Sequence, residues 1–349
     1  MVKKIAYIEI DTHAEIAQSF MEIMEGSPSF SVDYYFSKKI RNQIVDHGGS
    51  IFLSNSSVIR DQLKEKDYDL IIIGTVHRYF NTFLGITAKY NTAVIVHNMN
   101  FIKASKMKLI KSIFKKDNIY RLKLWWKEDL LKSSEVYRKA KHLLVLDEAL
   151  SSDLFRFLPL FYRKPFNAPD NKALTVVIPG GVSQQRRDYK HVFNTVKNLN
   201  IQKEITFVFL GKAKDGELQQ LDELSQNVPK NIILKYFSER VSPAVFEGWM
   251  QKADVLWCPI QQETAFFSLK ETYGTTKMTG NLGDAIKFGK WAVFPENYQS
   301  RLDFIVPEQK DIISQFEMLK KTSFDFQKDY SRQAVQLKLQ KLLNGLIAV

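Results

Sequence analysis

The predicted fold class is α/β: two successive Rossmann-like domains that face each other across a cleft. Three observations predict it. Apolar, β-branched runs alternate with amphipathic helical segments up to residue 148 or so, the pattern breaks in a proline-bearing stretch, and the alternation then starts again.

In the first half the apolar runs are IAYIEI (5–10), FSVDYYF (30–36), DLIIIGT (69–75), TAVIVHN (92–98) and HLLVLDE (142–148). Segments such as HAEIAQSFMEIMEG and VIRDQLKEK lie between them and carry a helical period. Strands joined through helices run parallel, with both sheet faces covered. The N-terminus, MVKKIAYIEIDTH, reads as a first strand and not as a leader, because its apolar run is short and contains Glu9. The stretch 157–171, FLPLFYRKPFNAPDN, holds three prolines and no clean period. The second series runs ALTVVIPGG, YKHVFNTVKNL, ITFVFLGK, ELQQLDELSQ, NIILKYF, PAVFEGWMQKA, DVLWCPI and WAVFPENY. The expected organisation is a first domain over 1–158, a linker at 159–171 and a second domain over 172–323. A C-terminal helix within 324–349 is expected to cross back to the first domain.

Composition narrows the class. A chain of 349 residues with 45% hydrophobic and 25% charged residues suits a soluble globular protein of two domains. No apolar run approaches the roughly 20 residues that span a bilayer. Cys258 is the only cysteine, which excludes a disulfide framework and a cysteine zinc site, and the expected compartment is the cytoplasm. The formal net charge of +12 implies an anionic partner. The excess concentrates between Phe101 and His142, where 13 Lys/Arg against 4 Asp/Glu give +9. Within 100–132, Met107, Ile110 and Phe114 share a helical face, lysines 106, 108, 111, 115 and 116 flank it, and Trp125–Trp126 follow. Basic faces with aromatic edges suit an anionic membrane surface, so a peripheral position at the inner face of the plasma membrane is expected. The competing reading packs this face on the sheet. No RNP, helix-turn-helix or zinc-finger pattern accompanies it, and no nucleic acid is expected.

Ligands of open parallel sheets bind at the carboxyl ends of the strands. In the second domain these ends supply Gly180 and Gly181 with Arg186 and Arg187, and then Lys212. Glycines allow close approach of a ligand, and arginines neutralise a diphosphate. Neither Gly-Lys-Ser/Thr nor Gly-x-Gly-x-x-Gly is present. The stretch 272–295 runs from a polar loop into a short helix carrying Asp284; its N-terminus suits a diphosphate and Asp284 suits ribose hydroxyls. In the first domain the strand ends supply Asp11, Thr12 and His13, then His77, then His97, Asn98 and Asn100, which form the acceptor side. His97 is a candidate donor to a sugar hydroxyl or phosphate, or a base. His13, with Asp11 or Glu15 to orient it, is a candidate acid/base. Asp67 and Asp69 precede a strand, at its wrong end for a site, and no metal is expected.

These features resemble the GT-B glycosyltransferases, most closely the retaining nucleotide-sugar transferases of family 4 and their divergent relatives in bacterial surface-polysaccharide clusters. The resemblance covers most of the chain and is strongest over 173–295. Gly180, Gly181, Arg186 and Arg187 stand where that family carries its basic glycine turn, although Val182 follows Gly181 where an arginine is usual. Glu271-Thr-Tyr273-Gly274 resembles the start of the family's sugar- and ribose-binding pattern, and Asp284 in GDAIKFGKW its second acid, with wider spacing than usual. The resemblance makes Glu271 a catalytic-side sugar ligand, Lys277, Thr279 and Gly280 diphosphate ligands, and His97 the family's first-domain histidine. It implies transfer of a sugar from a nucleotide-diphosphate donor of UDP or GDP type to a hydroxyl of a glycan or lipid-linked acceptor. It further implies no metal or cofactor, retention of configuration, and a role in bacterial surface polysaccharide or glycoconjugate synthesis. An inverting enzyme of the same fold needs a base, for which His13 is the choice. The alternatives are a nucleotide-sugar epimerase of the same fold, and a non-catalytic basic scaffold for membrane or nucleic acid.

Overall fold

A computed structural model describes residues 2–45, 49–115, 117–166 and 172–348. The first sheet comprises β1 (Lys3–Glu9), β2 (Phe30–Phe36), β3 (Ser50–Leu53), β4 (Leu70–Ile73), β5 (Thr92–Ile95), β6 (His142–Val145) and β7 (Phe155–Phe157). Their spatial order is β3-β2-β1-β4-β5-β6-β7, and every pairing is parallel. The second sheet follows from β8 (Leu174–Pro179), β9 (Ile205–Lys212), β10 (Ile232–Phe237) and β11 (Val255–Trp257). A separate antiparallel hairpin, β12 (Glu263–Phe266) and β13 (Leu269–Thr272), comes next, and β14 (Trp291–Phe294) and β15 (Ile305–Pro307) complete the sheet in the order β10-β9-β8-β11-β14-β15.

Both sheets reverse strand order once, between β1 and β4 and between β8 and β11. At each reversal the connecting chains leave in opposite directions, and a crevice opens at the carboxyl ends of the strands. The predicted two-unit α/β architecture is therefore present. Three short strands, β3, β7 and β15, were not among the predicted runs. Each has only three or four residues and lies at or near a sheet edge, too short to show a period.

The helix Arg332–Ile347 starts on Ser331, whose hydroxyl accepts from Ala334 N, and it buries Val335, Leu339, Leu343 and Leu346. Side chains of that size contribute roughly 1.5–3 kcal/mol each when fully buried. The helix lies along the first domain: Gln336 donates to Ile23 O (2.7 Å), Lys3 to Asn344 (2.7 Å) and Arg332 to Glu22 O (2.7 Å). Residues 158–166 are irregular but not loose, since Leu158, Leu160, Phe161 and Tyr162 are buried. The rest of the expected linker, 167–171, lies outside the described residues, as does Lys116 of the basic segment. One apolar cluster runs from Tyr7 and Phe20 through Leu160 and Phe161 to Leu282, Ile286 and Phe304, so both domains share a core along one side of the cleft.

Candidate active site

In the second domain, β8 ends in Pro179 and turns at Gly180, whose φ of 102° lies in the left-handed region. A Cβ there would collide with the Arg187 guanidinium, which folds over the turn. Arg187 Nη1 donates to Gly181 O (3.3 Å) and Nη2 to Asn281 Oδ1 (3.3 Å), while its Nε is buried with no partner among the described residues. Asn281 in turn donates to Pro179 O (3.3 Å) and to Asp284 (3.4 Å). The first turn of the helix Gly280–Phe288 is thus stapled to the glycine turn. Thr279 is its N-cap, accepting from Asn281 N, and Gly289 ends it in the left-handed conformation. Gly181 and Gly280 are exposed and face open space.

The charges here are perturbed by burial and by one another. Burial raises the Asp284 carboxyl to about 6, against the pull of Lys287, Arg187 and the Asn281 hydrogen bond; Glu15, on the first domain, pushes it further up. Burial brings the Lys277 ammonium down to about 8; Glu271 opposes that shift and the neighbouring Arg186 adds to it. Arg186 itself is exposed.

In the first domain, Glu9 ends β1. Its buried carboxylate accepts from Asp11 N (3.0 Å), Thr12 N (3.2 Å) and the Thr75 hydroxyl (2.6 Å), which shapes the loop after the strand. Burial raises its pKa, and these hydrogen bonds and His13 counter the rise. From this loop the His13 ring stacks on His97, with centroids 4.0 Å apart and planes 16° from parallel. His13 Nδ1 meets Glu15 Oε1 at 2.8 Å. Burial would raise the Glu15 carboxyl, but the His13 hydrogen bond and charge outweigh it, with Lys287 from across the cleft helping, and the pKa falls. An ionised carboxylate only accepts, so His13 donates to Glu15 from Nδ1. His97 Nε2 donates to Gly74 O (2.8 Å), and His77 Nε2 accepts from Asn98 Nδ2 (3.2 Å). Burial holds both rings well below the ordinary histidine range, so they are neutral near pH 7. At the rim Arg78 pairs with Glu128 (2.5 Å), beside Asp11, whose carboxyl is raised by burial and lowered by Arg78 and Lys39.

The two halves touch through the hairpin arm. Glu271, fully buried, accepts from Asn100 N and Phe101 N (both 3.0 Å). Thr276 O accepts from Met99 N (2.9 Å), Lys277 donates to Asn98 Oδ1 (2.5 Å), and Asn100 Nδ2 donates to Lys270 O (2.9 Å). At the hairpin tip Phe266 and Phe267 pack on Phe101, with ring centroids 5.0 and 5.3 Å away, and Arg121 donates to Ser268 (2.7 Å).

No protein-family model matches the chain, and no curated protein does either. Solved structures do. A glycosyltransferase from Rickettsia africae superposes with a TM-score of 0.61 at 9% identity, covering 99% of both chains. Anabaena HepE, solved in complex with UDP, gives 0.59 at 11% identity over 99% of this chain and 100% of its own. The sucrose-phosphate synthase of Thermosynechococcus elongatus gives 0.59 at 12% identity over 99% of both. The fold is GT-B.

In the GT-B frame the second-domain crevice gathers Gly180, Gly181, Arg186, Arg187, Lys277, Thr279, Gly280 and Asp284. The first-domain crevice gathers Asp11, Thr12, His13 and His97, with Thr12 exposed on the loop. Four of the expected residues have side chains engaged within the protein. Glu271 is not an open sugar ligand: its carboxylate is spent on two backbone N–H groups of the other domain. The side chains of Asn98 and Asn100 bind Lys277, His77 and Lys270. Lys212 turns to Glu239 (3.4 Å). Sequence reasoning overlooked Asn281, which joins the two donor loops, and Glu9, whose one signal was an acid at the end of an otherwise apolar strand. The hairpin was not among the expected strands; its turn residues Phe267 and Ser268 adopt positive φ without the glycine or asparagine that would announce it. Among the described residues no group of acids, histidines or cysteines is arranged to hold a metal ion, and no helix is long and apolar enough to cross a membrane.

Proposed function

We propose that the chain is a glycosyltransferase that moves a sugar from a nucleotide-diphosphate donor, of UDP or GDP type, to a hydroxyl of a glycan or lipid-linked acceptor. The observation that carries the reading is Arg187, folded over the Gly180 turn with an unpartnered buried Nε beside the first turn of the Gly280–Phe288 helix. As the glycosidic bond breaks, negative charge grows on the departing diphosphate. Arg187, Arg186, Lys277 and the free N–H groups at the helix start stabilise that charge. Asp284, as the carboxylate, accepts from the ribose hydroxyls.

On the opposite wall His13 Nε2 removes the proton of the attacking hydroxyl, and Glu15 orients the ring and stabilises the imidazolium. Neutral His97 stacks beneath it and keeps it in place. An oriented base favours direct displacement with inversion. The expectation of retention leaned on likeness to a family in which a glutamate serves the sugar, and here Glu271 is occupied elsewhere. We extend the proposal to assembly of a bacterial surface polysaccharide or glycoconjugate at the cytoplasmic side of the membrane, supported by the basic segment beside the acceptor crevice.

The test is nucleoside-diphosphate release from a panel of UDP- and GDP-sugars, with and without saccharide and lipid-linked acceptors. Acceptor-dependent release, with the product anomer read by NMR, supports transfer and decides inversion. Acceptor-independent release with an isomerised sugar would establish the epimerase instead.

A further inference from the structure

The helices Lys106–Ile113 and Asn118–Glu128 bury only one side each: Leu109, Ser112 and Ile113 in the first, Arg121, Leu124 and Glu128 in the second. Their other sides are not polar. Met107, Ile110 and Phe114 repeat at i, i+3, i+7, as do Ile119, Leu122 and Trp126, and all six are exposed. Of the 16 large apolar side chains exposed among the described residues, eight lie between Met107 and Trp126. Trp126 and Ile119 are 88% and 87% exposed, which excludes packing of this face on the sheet. Lys108, Lys111, Lys115, Lys123 and Lys127 flank the stripes. Large apolar side chains ringed by lysines match one partner chemistry, acyl chains beneath anionic head groups.

The inward side of the same pair of helices leads to the catalytic cleft. Glu128 holds Arg78 and the Tyr79 N–H at the rim of the acceptor crevice, and Arg121 binds Ser112 O (2.5 Å) and Ser268 on the hairpin arm (2.7 Å). We propose that the outward face of these two helices docks on an anionic lipid bilayer, so that a lipid-linked acceptor enters the first-domain crevice past Arg78 and Asp11. The docking stands on the surface alone; the acceptor clause rests on the transferase reading.

The test compares the full-length protein with a variant combining Phe114→Ser, Ile119→Ser and Trp126→Ser, all at exposed positions. Co-sedimentation is measured with phosphatidylglycerol-containing and pure phosphatidylcholine vesicles, and thermal stabilisation by UDP and GDP is recorded for each protein. The expected result is binding to the anionic vesicles alone, weakened about tenfold or more in the variant, with quenching of tryptophan by brominated lipid and an unchanged nucleotide response. Vesicle binding without any nucleotide response would keep the docking and remove the transferase reading. Three results would overturn the docking: no sedimentation with anionic vesicles, equal sedimentation of the variant, or a concentration-dependent dimer of the wild type that the variant abolishes, which would make a second copy of the chain the occupant.

Discussion

The crevice after β8 and the crevice after β1 occupy the same place in two sheets of the same strand order, yet they are furnished for opposite tasks. After β8 the chain places glycines, a folded-back arginine and a helix N-terminus, so backbone N–H groups and cations converge on open space. After β1 it places a buried carboxylate, Glu9, that consumes the loop's own N–H groups, and it stacks His13 on the neutral ring of His97. In the proposed reaction one crevice receives negative charge and the other moves a proton. The topology fixes where a site forms, and the residues in the first turn after each central strand fix what it does.

The sharpest way to break this contrast is His13→Ala. Loss of a positioned base costs about 10²–10⁴-fold in kcat. Thermal stabilisation by the nucleotide is expected to stay at the wild-type level, because the donor half is untouched. Arg187→Ala should do the reverse. It is expected to weaken nucleotide binding by about 10- to 100-fold, the effect of removing a charge-assisted donor, as calorimetric titration would show.

Glu271→Ala probes the arm between the halves. It leaves two backbone N–H groups without their charged acceptor and is expected to cost about 3 kcal/mol in chemical denaturation, with Glu271→Gln costing less. Nucleotide affinity should fall little if Glu271 is a clamp; a loss as large as that of Arg187→Ala would restore it as a donor ligand.

The smallest effects are in pH dependence. Affinity for a UDP-sugar, whose diphosphate does not titrate in this range, should decline below about pH 6 as Asp284 takes a proton and above about pH 8 as Lys277 loses one. The sign for stability is opposite at Asp284. Its folded pKa is raised, so it costs nothing below the ordinary carboxylate range and destabilises as pH rises through about 6. Asp284→Asn should therefore stabilise the free protein by about 1–2 kcal/mol above that pH and not at pH 4, measured by denaturant unfolding at the two pH values.

The sheets were legible because buried parallel strands must be apolar runs, and IAYIEI or LTVVIP admits little else. The glycine turn and the acid helix were legible because Gly180 and Arg187 follow a strand and Asp284 sits one turn into a helix, places where ligand-binding groups gather. The arm was not. Phe266 and Phe267 are spaced like any loop aromatics, and their turn lacks the residues that favour its geometry. The partnership of Glu271 with Asn100 and Phe101 spans more than 160 residues, so no local pattern signals it. The stripe Met107–Ile110–Phe114 was visible in sequence, but whether it faced the core or solvent depended on where Leu109 and Ile113 packed.

The central claim, that the second-domain crevice holds a nucleoside diphosphate, is tested most directly by the melting temperature of the wild type and of Arg187→Ala against a panel of UDP, GDP, ADP and CMP with their sugars. A ligand that binds only the native state must raise it. The account predicts a rise with one nucleoside diphosphate, lost in the variant. No rise with any of them at concentrations far above a working dissociation constant, or a rise that Arg187→Ala leaves intact, would contradict it.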